Sequence, residues 1–320
     1  MKNQTTLYFP INDRSIWSGR VDALPNEYLY QHIKFLDLNA SYDVSEPLTG
    51  YALLGFESDA GVIRNFGNPG AEHGPMAFRH IVAKSPVHTE FNLYDAGNVK
   101  CLDGDLEAAQ SELKKRVTAL LSLGLTPIVI GGGHETAWGH FQGIAKHYEH
   151  DNVAILNFDA HFDLRPMIRD KLGSSGTPFR QIRDYLNENN KPFNYYCAGI
   201  QPFSNTRSLF EYAHANQVSY LLAEKIQADP HDLSFIESII HSHQHIYVSV
   251  CLDVFSAFLA PGVSAPQALG ISSTYVIEAL RRLKKSKKVI SVDIVELAPK
   301  YDINNQTAKL AAALFMEYIS

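Results

Sequence analysis

Cysteine is scarce in this chain of 320 residues, which holds only Cys101, Cys197 and Cys251. None stands in the close paired spacing of a zinc site or a redox motif, so disulfide stapling is not expected. Long apolar runs are missing too. No stretch could span a bilayer, and the start, Met1-Lys2-Asn3-Gln4-Thr5-Thr6, lacks the apolar centre of a signal peptide. A cytoplasmic protein without a membrane partner is therefore expected. Positive charge is not in excess: 28 Lys and Arg stand against 34 Asp and Glu, a formal net charge of -6. That balance gives no general reason to expect nucleic acid or an anionic surface as partner and favours a small molecule. Repeats, low-complexity segments and composition breaks are also lacking. With 45% hydrophobic and 19% charged residues, the chain can bury a substantial core and reads as one α/β domain over 1–320.

Residues 1–50 mix polar and aromatic side chains with weak periodicity and are assigned as a peripheral segment outside the main domain. The first clear strand is Tyr51–Phe56, and the Gly-, Asn- and Pro-rich loop Glu57–Gly74 leads to a helix near Pro75–Val82. Within Leu106–Leu123, Ala109, Leu113, Val117, Leu120 and Leu121 share one face of a covering helix. Pro127–Ile130 is a buried strand that ends in Gly131-Gly132-Gly133-His134-Glu135, with a helix following from Thr136 to Tyr148. The alternation continues through strands at 153–158, 194–200, 246–252 and 289–295, with helices near 177–187, 205–214, 233–242 and 273–283. Near-continuous apolar strands between helices predict a three-layer α/β/α fold with a mostly parallel sheet.

One stretch stands out chemically. After the apolar run Val153-Ala154-Ile155-Leu156, three potential metal ligands recur at every second position: Asp159, His161 and Asp163. In extended chain they would point to one side. Two carboxylates and an imidazole crowded there repel one another and lose hydration, and a divalent cation is the usual remedy. In an open parallel sheet, ligands bind beyond the carboxyl ends of the strands. His134 follows Pro127–Ile130, and Cys251 with Asp253 ends Ile246–Leu252, so these groups are expected on the same edge. Gly131-Gly132-Gly133 lacks the Lys-Ser/Thr ending of a P-loop and the spacing of a dinucleotide fingerprint. These glycines are read as allowing a tight turn that brings His134 into the cleft.

Taken together, Gly131-Gly132-Gly133-His134-Glu135, Asp159-Ala160-His161-Phe162-Asp163, Ser249-Val250-Cys251-Leu252-Asp253 and Ala260-Pro261-Gly262-Val263-Ser264-Ala265-Pro266 resemble the ureohydrolase superfamily, the arginase-like enzymes with a binuclear manganese centre. Gly-Gly-Gly-His-Glu, Leu164-Arg165 and Ser175-Gly176-Thr177-Pro178-Phe179-Arg180 make the formimidoylglutamase branch the nearest match. The resemblance implies two Mn(II) per chain, one held by His134 and Asp163, the other by His161 and Asp253, with Asp159 bridging. It implies activation of a shared water for attack on an amidine carbon, and for N-formimidoyl-L-glutamate the products are glutamate and formamide. Homo-oligomers are common in the superfamily. The alternatives are agmatinase or another guanidino hydrolase releasing urea, and an arginase-like binding protein with impaired catalysis.

Cys251 departs from the pattern, since the superfamily usually has a second bridging Asp there. As a thiolate ligand Cys251 would weaken Mn(II) binding and shift preference toward zinc or iron; the alternative is a buried thiol filling space, and on either reading the second cation is in doubt. Glu296 matches the superfamily's acid that faces the cationic amidinium or guanidinium. Arg165 and Arg180 are expected at the mouth, because formimidoylglutamate carries two carboxylates and agmatine none. Asp293 is read as structural. The alternating histidines His241, His243 and His245 precede a strand and so fall at the wrong end of the sheet. The basic run Arg281–Lys288 closes a helix, where cations complement the dipole.

Overall fold

Apolar runs become strands and amphipathic runs become helices in an order that builds a central sheet. The computed structural model describes residues 6–43, 45–169 and 171–320; Met1–Thr5, on which most of the N-terminal reading rests, lie outside that range. Strands β1 (Tyr8–Phe9), β2 (Lys34–Phe35) and β3 (Tyr51–Glu57) come first, followed by helices α1 (Ala60–Arg64) and α2 (Gly74–Val82) and strand β4 (Leu93–Lys100). Helix α3 (Leu106–Ser122) leads to β5 (Thr126–Ile130), and α4 (Thr136–His147) to β6 (Val153–Phe158). Next are α5 (Pro178–Glu188), β7 (Asn194–Ile200), α6 (Arg207–Ala215), β8 (Ser219–Leu222), α7 (Ala223–Ala228) and α8 (Ser234–Ser242). Strand β9 (His245–Cys251), helix α9 (Ser273–Ser286), strand β10 (Val289–Val295) and helix α10 (Gln306–Ile319) follow.

The strands lie in the order β1-β4-β3-β5-β10-β9-β6-β7-β8, with β2 also on β4. Among the described strands only β1 runs antiparallel to its neighbour. Side chains alternate between two cores. Ala154, Leu156 and Phe158 of β6 pack with α2 and α7–α10, whereas Val153 and Ile155 pack with α3–α6. Burial on both faces explains why the central strands are apolar at nearly every position. The architecture is the expected three-layer α/β/α.

Several elements escape a reading by apolar periodicity. Strand β4 carries Asp95, Gly97 and Asn98, residues that ordinarily disfavour strands. Here they are buried around Arg79, whose guanidinium donates to both Asp95 oxygens over 2.8 Å and to Asn98 Oδ1 over 2.7 Å. Trp17 is buried and donates to the same Asp95, and β1 and β2 pair with β4, so residues 8–35 are tied to the sheet edge. β8, α7 and α10 were also unmarked.

The connection from β5 to β6 crosses two strand positions that β9 and β10 later fill. The carboxyl ends of β5, β10, β9 and β6 are therefore adjacent, and the segments leaving them share one edge.

Candidate metal centre

Strand β6 stops at Phe158, so the Asp159–Asp163 triplet lies in the irregular segment beyond it. Alternation persists there: Phe162 and Leu164 enter the core on the α3–α6 side, while Asp159, His161 and Asp163 meet the other candidate ligands. The extended geometry does not last. Asp163 has φ +49°, in the left-handed region, so a turn rather than a strand delivers its carboxylate.

The chain bends at Gly132 and Gly133 and turns through His134 and Glu135, bringing His134 to the cavity as expected, and the glycines also serve clearance. None of Gly131, Gly132 and Gly133 has positive φ. A Cβ on Gly132 would lie 1.7 Å from the Ser58 carbonyl oxygen, and one on Gly131 would lie 2.5 Å from Thr136 Oγ1. At Gly132 backbone packs on backbone, which only glycine permits, and at Gly131 the Thr136 and Val295 side chains fill the space a Cβ would need.

His134, Asp159, His161, Asp163, Cys251 and Asp253 converge. His134 Nδ1 lies 2.9 Å from Asp159 Oδ2 and 2.9 Å from Asp163 Oδ2. His161 Nδ1 lies 3.4 Å from the other Asp159 oxygen and 3.2 Å from Asp253 Oδ2. Asp159 thus presents one oxygen to each imidazole. Cys251 groups with His134 and Asp159, their ligand atoms all within 4.8 Å of one another.

The tautomer of His134 tests the fit to a cation. Ser249 Oγ donates its single proton to Asp293 Oδ1 over 2.5 Å and lies 2.9 Å from His134 Nε2, so it accepts the Nε2 proton. A neutral His134 then turns the Nδ1 lone pair toward two carboxylate oxygens. That buried nitrogen has no hydrogen-bond partner, and neither has Asp253 Oδ1. Lone pairs facing one another in a buried site need positive charge between them, and imidazole with carboxylates suits divalent cations.

With no cation bound, that positive charge falls to protons on the imidazoles: burial opposes a charged His134 and His161, yet neighbouring carboxylates outweigh it and raise both pKa values well above the ordinary range. Burial also works against ionised Asp159, but His134 and His161 hold its carboxyl below the usual range. Asp163 is pushed up to about 6, by burial first and by Asp159 second. Burial, then Asp159 and Asp253, push the Cys251 thiol far up, so without a cation it stays protonated.

Glu296 follows β10 with φ +71° and faces the same cavity of about 270 Å³. Its Oε1 accepts the His134 backbone N–H, and its Oε2 accepts the Ser264 hydroxyl. Burial, and then the charge of Glu135, push its pKa up to about 8. Arg165 lines the cavity as well. Arg180 does not; its guanidinium lies 4.2 Å over the Tyr212 ring, away from the mouth where it was expected.

Asp293 is structural, as read, and its contacts reach the site. It accepts from Tyr247, Ser249 and His140 and, through Ser249, orients His134. Ser249 was visible in the Ser-x-Cys-x-Asp motif, two residues before Cys251 and so on the same strand face, but its link to His134 joins distant segments. The decoy histidines lie at the amino end of β9, where His243 pairs with Tyr196 over 2.8 Å. In the basic run, Arg281 pairs with Glu317 at 2.8 and 2.9 Å.

Residues 49–320 match the Arginase family, and the chain belongs to that family. Relatives within it carry a more particular name. The formimidoylglutamase of Legionella pneumophila (strain Lens) is 43% identical over 314 residues, covering 98% of this chain and 97% of the relative. That of Geobacillus thermodenitrificans is 41% identical, covering 95% of each. The fold is shared with Trypanosoma cruzi formiminoglutamase solved with Mn2+ (TM-score 0.78, 24% identity, 88% of this chain and 95% of that one). It is shared too with Bacillus subtilis arginase (TM-score 0.72, 23% identity, 85% and 99%).

Proposed function

We infer that the chain is a formimidoylglutamase, a hydrolase of the C–N bond of a linear amidine that converts N-formimidoyl-L-glutamate and water to L-glutamate and formamide. Identity of 39–43% to formimidoylglutamases over nearly the whole chain carries this reading. The cavity adds its own support: Arg165 supplies a guanidinium for a carboxylate, which formimidoylglutamate has and agmatine lacks.

We assign His134 and Asp163 to one Mn(II), His161 and Asp253 to a second, and Asp159 to both, with Cys251 beside the pair. Bound cations supply the charge that makes water a nucleophile at neutral pH. The chain's own groups do the rest. Ser249 holds the His134 ring with Nδ1 turned toward Asp159 and Asp163, where a cation would bind. Glu296 faces the amidinium, whose positive charge favours the ionised carboxylate against the burial that raises its pKa. Arg165 holds the glutamate end. We further place the protein in the cytoplasm as one domain; among the described residues no helix is long and apolar enough to cross a membrane.

Product analysis tests the reading. The Mn(II)-loaded protein should yield equimolar glutamate and formamide from N-formimidoyl-L-glutamate and no urea from agmatine or arginine. Urea without formamide would favour the guanidino hydrolase instead, and no product from any amidine would leave a binding protein.

A further inference from the structure

Glu135 follows His134 in the chain, yet it does not line the cavity. It is fully buried, and Oε1 accepts the Gly61 backbone N–H over 2.9 Å and the Ser58 hydroxyl over 3.0 Å. Both partners belong to the segment that leaves β3. The Gly61 carbonyl in turn accepts the Ser175 N–H over 3.0 Å, so one residue hangs between the turn after β5 and the segment beyond the triplet. Asn65 donates to Ser175 Oγ over 3.2 Å, and Asp59 Oδ2 accepts the Gly70 N–H over 2.6 Å, closing the segment on itself.

Between these anchors, Asn65, Phe66, Gly67 and Asn68 form one wall of the cavity. Phe66 takes φ +60° as the residue that closes α1: its N–H donates to the Ile63 carbonyl over 3.0 Å and the Gly67 N–H to the Val62 carbonyl over 2.9 Å, and the residue is 99% exposed. The packing behind it is tight: a Cβ on Gly61 would lie 2.5 Å from the Glu135 carboxyl carbon.

We propose that Glu135 is a positioning residue. By tying Gly61 and Ser58 to the turn that carries His134, it fixes the 65–68 wall at a set distance from the metal ligands and so governs how well substrate is held, without touching substrate or cation. This rests on the proposed formimidoylglutamase activity. A buried acid that merely satisfied a backbone N–H would affect stability and leave KM alone; a tether for the wall affects KM.

The test uses Glu135→Ala, Glu135→Gln and Gly61→Ala in the Mn(II)-loaded enzyme. Steady-state kinetics with N-formimidoyl-L-glutamate, Mn(II) per chain and backbone hydrogen exchange over 58–70 are read together. Glu135→Ala should raise KM about tenfold with kcat within about threefold, keep the Mn(II) content and speed exchange at 58–70. Glu135→Gln keeps the Oε1 acceptor and should restore most of the loss. Gly61→Ala pushes the segment from the other side, leaves the residues beside His134 unaltered, and should reproduce the KM rise even if Glu135→Ala fails to fold. A fall in kcat and Mn(II) content at unchanged KM would overturn the proposal, as would unchanged exchange at 58–70 in all three variants. Exchange is read on the protein alone, so inactivity of the parent enzyme would count against the proposed function and leave exchange to decide the tether.

Discussion

The backbone N–H of His134 donates to Oε1 of Glu296 over 2.7 Å, joining the ends of the neighbouring strands β5 and β10. Glu296→Gln keeps an acceptor for that bond, removes the charge set against the amidinium and turns the acceptor of the Ser264 hydroxyl into a donor that the hydroxyl can accept. We expect kcat/KM to fall by about 10²-fold with Mn(II) content unchanged. Loss of Mn(II) in the variant would show that Glu296 serves the ligand, not the substrate.

Cys251→Asp places a third carboxylate beside Asp159 and Asp253. Oxygen is the harder donor, so the second Mn(II) should bind about tenfold or more tightly, and activity should survive. Titration of stripped protein with Mn(II) checks this. An affinity equal to that of the parent would mean that Cys251 is only a buried thiol.

Without a bound cation, Asp159, Asp163 and Asp253 stand crowded with two imidazoles in a buried site. Chelation should lower Tm, and added Mn(II) should raise it progressively, as the folded state gains about 2.7 kcal/mol per site at a hundredfold excess over Kd. A melting curve insensitive to both treatments would argue against a resident cation.

The two arginines should separate. Arg165→Ala should raise KM for formimidoylglutamate by about 10- to 100-fold, the worth of a charge-assisted contact to a carboxylate. Arg180→Ala, which loses a stacking contact on Tyr212, should leave KM within about twofold while costing about 0.5–1 kcal/mol in denaturant unfolding. The reverse pattern in KM would reassign the substrate contact to Arg180.

Arg79→Met strands the buried Asp95 carboxylate, whose oxygens otherwise take the guanidinium fork at 2.8 Å. Breaking a buried pair from one side costs about 3–5 kcal/mol. Urea unfolding should show a loss of that order, with near-normal kcat at low temperature if folding survives, because the pair lies outside the cavity.

Much of the site could be read along the chain because its information is local. The run Val153–Leu156 announces a strand buried on both faces, and ligands at alternate positions behind it announce shared orientation. His134 and Asp253 each follow another such run, and parallel topology then places them on one edge. The failures come where a residue's partner lies far away. Asp95 and Asn98 read as breakers until Arg79 is folded beside them, and β4 goes unmarked without it. Gly132 reads only as a turn residue until the Ser58 carbonyl is found against it.

Periodicity and spacing, then, determined by themselves the layered fold, the edge that carries the chemistry and the Asp159–His161–Asp163 triplet, because each depends on residues within one strand and the segment leaving it, while the resemblance of separated motifs implied the rest of the ligand set. Tertiary structure alone decided that Asp159 offers one oxygen to each imidazole, that Asp293 acts on His134 through Ser249, and that Arg165 rather than Arg180 faces the cavity. Those outcomes depend on which buried polar groups meet, and that follows from packing between segments separated by tens to more than a hundred residues.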